Sequence, residues 1–321
     1  MTERNTDHPD IIDLLPRLGD ADAGVRRIAL IELADLEEPQ GLPWLTDALL
    51  VDAAEGVREE AARLLEAWED PEVIQALCAA LADPAVAVRT AAAQSLSEIK
   101  SQETGLLVLP WVAHAEAFVR ASTLRALREL RLEEAAAPAL AALEDPDASV
   151  RREAVGVLGW LKHAPALPVL ARLAASEPDT EVRRAAIGAL GLARDDSVLP
   201  ALIGALDDAA WQVREEAATT LGKISQQAAG AALIKALGDP FWQVRLRAAR
   251  ALGRLRHVAA LQALADLLGH GIANLRKEAA LALGELGVAQ ALPALEQAQA
   301  DSDPEVRKAV RIALAQLQGA Q

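Results

Sequence analysis

The chain has 321 residues, 47 acidic against 32 basic side chains, a formal charge of −15, 52% hydrophobic residues and only 2% aromatics. Few aromatics disfavour a large β-sheet, and the apolar content excludes wholesale disorder. The acidic balance excludes a uniformly basic groove for nucleic acid. A length suited to two domains of about 150 residues is instead read as one repeat array.

Residues 1–9 are a polar tail without the apolar stretch of a signal peptide. No apolar run reaches the ~18 residues of a membrane span. The expectation is a soluble, cytoplasmic chain that does not engage a membrane. One cysteine, Cys78, cannot form an internal disulfide or a thiolate cage. It sits beside Ala79, Ala80 and Leu81 and reads as a buried thiol.

From residue 10 to 318 a motif recurs every 31 or 32 residues. It starts at Val25, Val57, Val88, Val119, Val150, Val182, Val213, Val244, Leu275 and Val306. Counting from this residue as zero, position +1 is always Arg, from Arg26 to Arg307, and position +8 is always Leu, from Leu33 to Leu314. Ten units therefore cover residues 10–318, with 319–321 as a short tail.

Each unit predicts two helices. In the second, positions 0, +4, +8 and +11 fall on one stripe of a 3.6-residue wheel and form the buried face. Asp83-Pro84, Asp145-Pro146, Asp239-Pro240 and Glu177-Pro178 are expected to cap its start. The first helix is shorter, as in Leu199 to Leu206 or Ala231 to Leu237. Gly159, Gly191, Gly222, Gly253 and Gly284 share position +9. A mid-helix Gly costs ~1 kcal/mol against Ala, so close approach of a neighbouring helix is expected there. Position +5 is apolar in nine units and Arg311 in the last, as a terminal cap would require.

The pattern Asp-Pro-x-x-x-Val-Arg-x-x-Ala-x-x-x-Leu-Gly, clearest from Asp239 to Gly253, resembles HEAT repeats of the phycobilisome-lyase type. The resemblance implies an all-α solenoid, an α-α superhelix of about ten helix pairs, with the motif helices lining a concave face. It also implies a ladder between motif arginines and Asp145, Asp208 and Asp239; His114 and His270 interrupt the Asp pattern in units four and nine. Among related activities, the di-iron hydroxylase reading is rejected, since none of the five histidines precedes a Glu. A HEAT-type DNA glycosylase reading conflicts with the acidic charge.

No catalytic set, metal cluster or cofactor motif stands out. His163 and His257 share position +13 but lie three units apart. Four aromatics fall at positions expected on the inner face: Phe118, Trp160, Trp211 and Trp242. The last two hold equal positions in adjacent units and are expected side by side as anchors. Gly156 and Gly188, at +6, with Trp160 nearby, are read as a candidate pocket floor. The charge is uneven, with 22 acids and 8 bases in residues 1–105. Arg247, Arg250 and Arg254 share one stripe beside Trp242. They form either a cationic patch for an anionic partner or a solvated face paired with Glu215, Glu216 or Glu278. The leading functional expectation is a monomeric, non-catalytic scaffold that docks a protein or peptide on its concave face. The alternative is a bilin or tetrapyrrole lyase-like subunit.

Overall fold

Val57, Val88, Val119 and Val150 are sealed from solvent, as are Leu65, Leu96 and Leu127 eight residues after three of them. The computed structural model describes residues 6–193 and 196–319. These residues are built from helices, without a strand among them. The fold is an all-α helical repeat of the superhelix class. The chain divides into two compact units, residues 1–161 and 162–321.

In the first unit, the motif helices are α2 (Ala23–Asp35), α4 (Glu55–Leu64), α6 (Val86–Ser97), α8 (Ala117–Leu127) and α10 (Ala148–Leu161). Each follows a shorter helix: α1 (Pro9–Leu18), α3 (Leu42–Val51), α5 (Pro71–Ala80), α7 (Gln102–Val108) and α9 (Ala136–Ala142). The second unit repeats the scheme. Its motif helices are α12 (Thr180–Leu190), α14 (Trp211–Ile224), α16 (Trp242–Leu255), α18 (Ala273–Leu286) and α20 (Pro304–Gly319). They follow α11 (Leu167–Ser176), α13 (Leu199–Gly204), α15 (Gly230–Ala236), α17 (Leu261–Leu267) and α19 (Leu292–Gln297).

The buried stripe takes the expected positions. All ten +4 residues, from Ala29 to Val310, are buried. The nine apolar +5 residues are buried too, because successive motif helices pack on one another within each unit, and Arg311 is exposed. The +9 glycines mark close approaches between motif helices. A Cβ on Gly222 would stand 2.9 Å from Ala251 Cβ, and one on Gly284 would stand 2.7 Å from Ala313 Cα. No methyl group fits at either distance.

The helix starts differ from expectation. Asp83, Asp145 and Asp239 are not the capping residues, since the helices begin three residues later. Each carboxylate instead accepts the backbone N–H two residues on, at Ala85, Asp147 and Phe241. The proline closes this turn rather than opening the helix. True side-chain caps occur at Asp22 and Asp179.

The helix ends share a second feature. Glu37, Arg131, Lys162, Ser225, Arg256 and Gly287 all have positive φ. All six occupy position +12, the left-handed residue that ends a helix, and only one is a glycine.

Candidate functional site

The motif arginine is a two-way clamp. Arg214 Nη1 donates to the carbonyls of Asp208 and Ala209 in its own turn, while Nε and Nη2 reach Asp239 of the next repeat. The same geometry joins Arg26 to Asp52, Arg58 to Asp83, Arg120 to Asp145, Arg183 to Asp208 and Arg276 to Asp301. Burial would push Asp83, Asp145 and Asp239 up, but their arginines and the backbone N–H groups hold them below the usual carboxylate range. Invariant Arg at +1 thus sets the register between repeats.

Histidine breaks the ladder at two places. His114 stands where Arg89 needs an Asp, and Arg89 lies over the Phe118 ring at 5.6 Å instead. His270 Nδ1 accepts the Ile272 N–H, and its Nε2 faces Arg245 Nη1 at 3.2 Å. A neutral ring accepting at Nδ1 carries its proton on Nε2, so two donors face each other there.

The expected aromatic pair is corrected. Trp211 stacks on Phe241, ring centres 5.5 Å apart and planes 14° from parallel, rather than pairing with Trp242. Arg214 lies 5.6 Å from the Phe241 ring centre. Trp211 is the first residue of α14 and Phe241 directly precedes α16. The stack therefore occupies the turn edge of the repeats. Phe241 is 42% exposed, and Trp211 and Trp242 are half-buried. In the first unit Trp160 is 41% exposed with Arg131 over its ring, and Phe118 is 40% exposed. Each exposed ring is thus backed by an arginine from the preceding repeat, with cation–π geometry.

The cationic stripe is largely neutralised. Arg247 donates to Glu215 at 3.0 Å, and Arg250 makes a bidentate pair with Glu278 at 2.7 and 2.6 Å. Only Arg254 of the three has no hydrogen bond or ion pair among the described residues. The pocket floor is also corrected. A Cβ on Gly156 would stand 2.9 Å from Arg128 Cδ, so an arginine stem already covers it. Gly188 lies in the second unit, where a Cβ would make only an ordinary contact with Glu216.

Beneath Arg128, Glu153 is buried within 4 Å of Arg125, Arg128 and Arg152. Phe241, Arg131, Arg89 and Glu153 were not singled out from sequence. The run Pro240-Phe241-Trp242 was the available signal for the first. Cys78 is fully buried, and burial pushes its thiol up to about 12. Among the described residues, no cluster of three or more His, Cys, Asp or Glu could hold a metal. No described helix is long and apolar enough to cross a membrane.

Stacked helix pairs clamped by an Arg–Asp ladder define a HEAT-type repeat protein. The HEAT-repeat profile matches residues 11–97, 106–190, 173–240 and 230–315, and the chain belongs to this family. No curated protein matches the chain. Among solved structures, the YibA protein of E. coli is similar at 22% identity and TM-score 0.62, over 84% of this chain and 98% of that one. An engineered protein matches at 22% identity and TM-score 0.53, over 97% of this chain and 99% of that one. Yeast importin-beta (Kap95p) matches at 14% identity and TM-score 0.66, over 97% of this chain and half of that one. At these identities the likeness is one of fold.

Proposed function

We propose that the chain is a non-catalytic scaffold that docks a protein or peptide partner on the motif-helix face and the turn edge beside it. The observation that carries this reading is the exposed Trp211–Phe241 stack backed by Arg214. Aromatic rings held rigid by an arginine are the residue types that dominate protein interfaces. A buried core would not place Phe241 two-fifths in solvent. Trp160 and Phe118 supply further anchors of the same kind. Of the arginine stripe, Arg247 and Arg250 serve their carboxylates, and Arg254, near the far end of α16, lies away from this edge. The fold supports the reading by analogy, since Kap95p binds RanGDP. The HEAT match is general and adds nothing to the bilin-handling alternative.

The test is affinity capture with a Trp211→Ala, Phe241→Ala double variant whose helicity matches the wild type. The wild-type chain should retain a partner that the variant loses. Unchanged capture would remove this edge as the docking site.

A further inference from the structure

The C-terminal ends of α14, α16, α18 and α20 line an open groove of about 860 Å³ that the scaffold reading does not use. Three ranks of repeat-equivalent residues build it. Gly222, Gly253 and Gly284, all at +9, form its floor. Their missing side chains make room for the next helix and its +10 side chain, since a Cβ on Gly253 would stand 2.7 Å from Glu285 Oε2 and 2.8 Å from Ala282 Cα. The rail at +10 reads Lys223, Arg254, Glu285 and Gln316 in successive helices. The third rank, at +12, adds Ser225, Arg256 and Gly287.

Charge along this rail is ordered. The side chains of Lys223, Arg254 and Arg256 gather on α14 and α16 and make no hydrogen bond or ion pair among the described residues, although the two arginines pull on the Glu285 carboxyl. Cations near helix C-termini offset the local partial negative charge, but two at the end of α16 exceed what one helix needs. Glu285 and Gln316 continue the rail, each side chain reaching back over the +9 glycine of the preceding helix. Burial, and then the neighbouring Glu278, push the Glu285 carboxyl up against the pull of Arg254, Arg250 and Arg256.

Packed helices stand 8–10 Å apart, and an extended polyproline-II segment advances about 3.1 Å per residue and returns its side chains to one face every three residues. Three peptide residues therefore span about one helix spacing. We propose that this groove binds an extended acidic peptide segment laid across the helix ends. Carboxylates three residues apart meet Lys223 and the Arg254–Arg256 pair, and a basic residue further on meets Glu285. Charge-assisted hydrogen bonds to carboxylates are the interactions such arginines make best. The inference shares the scaffold reading but not its site. Trp211 and Gly222 lie 11 residues apart on α14, about 17 Å at 1.5 Å per residue.

The experiment uses the full chain and a fluorescent heptapeptide, Glu-Gly-Ser-Glu-Gly-Ser-Lys, followed by anisotropy. Binding should weaken at least tenfold in Arg254→Ala with Arg256→Ala, both exposed positions whose replacement leaves the helices intact. Glu285→Lys should weaken this peptide and strengthen a version ending in Glu. Salt should weaken both by screening. The Trp211→Ala, Phe241→Ala variant should bind the peptide as the wild type does. Absence of binding, or equal binding of the charge-reversed peptide, overturns the proposal. So does a self-associated wild type that the arginine variant converts to monomer, since the acidic first third of a second copy would then be the occupant. Should the peptide fail while Trp211→Ala, Phe241→Ala still loses its captured partner, the groove is refuted and the scaffold reading stands.

Discussion

Arg214 and Asp239 are 25 residues apart in sequence and meet in two parallel hydrogen bonds of 2.6 and 3.0 Å. Their side chains are only 11% and 8% exposed. The same carboxylate accepts the Phe241 N–H at 2.8 Å, so one side chain ties two repeats and fixes the turn beneath the exposed stack. The ladder thus links stability to the candidate docking edge.

That linkage has a pH signature. Burial opposes ionisation at Asp52, Asp83, Asp145 and Asp239, but the arginines outweigh it and the net shift is downward. A lowered folded-state pKa contributes stability that is complete above the unfolded value near 4 and is lost as pH falls through the folded value. Urea midpoints should be flat from pH 6 to 8 and drop steeply below about pH 4. Asp239→Ala should cost about 3 kcal/mol at pH 7, because it strands a largely buried guanidinium. A midpoint that holds constant from pH 5 to pH 2.5 would contradict this account.

His270 offers the reverse experiment. Its ring copies half of the Asp geometry, accepting the Ile272 N–H, but presents a donor to Arg245. In His270→Asp the carboxylate would accept from both. We expect a gain of roughly 1 kcal/mol at pH 7, the size of a charge-assisted hydrogen bond. Thermal unfolding of the variant and the wild type at pH 7 measures it, and equal stability would refute the mismatch.

The repeat positions were legible because helical periodicity is local: Val244, Ala248 and Leu252 declare one buried stripe on any wheel. The ladder of Arg214 with Asp239 was expected only through the family resemblance, since nothing local to either residue names its partner. The aromatic pairing was not. Equal positions in adjacent units suggested Trp211 with Trp242, yet side-chain direction at a helix start brings Phe241, one residue earlier, onto Trp211. Nor could sequence choose between a free stripe and ion pairs for Arg247 and Arg250. Their partners, Glu215 and Glu278, lie 32 residues before and 28 after them, and both outcomes fit the same helical wheel. The groove at the helix ends escaped notice because the +9 glycines already had a sufficient reason in packing.

Two glycines should respond in opposite directions to the same substitution. Gly56 lies in α4, and a Cβ there would meet nothing within 4 Å. Gly56→Ala should stabilise by about 0.5–1 kcal/mol through helix propensity and a less flexible unfolded chain. Gly253→Ala gains the same term, but its Cβ would stand 2.8 Å from the Ala282 backbone. Overpacking of that kind costs about 1–3 kcal/mol, so a net loss is expected. Urea midpoints of the two variants decide, and a shift of the same sign in both would undo the close-approach explanation for position +9.

Cys78 gives a readout of local opening in the first unit. It is fully buried on α5 among Ile74, Leu77 and Leu81, and burial pushes its thiol up to about 12. Only the thiolate reacts with disulfide reagents. At pH 8 a native thiol of this kind is almost wholly protonated as well as inaccessible. Labelling with an aromatic disulfide should therefore be negligible in the folded chain and complete in urea. At intermediate denaturant its rate reports the free energy of opening around α5. Asp83, which receives Arg58 at the turn after α5, sets part of that free energy. Asp83→Ala should accelerate labelling by at least tenfold, whereas Asp301→Ala, at the far end of the second unit, should leave it nearly unchanged. Equal acceleration by both variants would show that the thiol is reached only by unfolding of the whole chain.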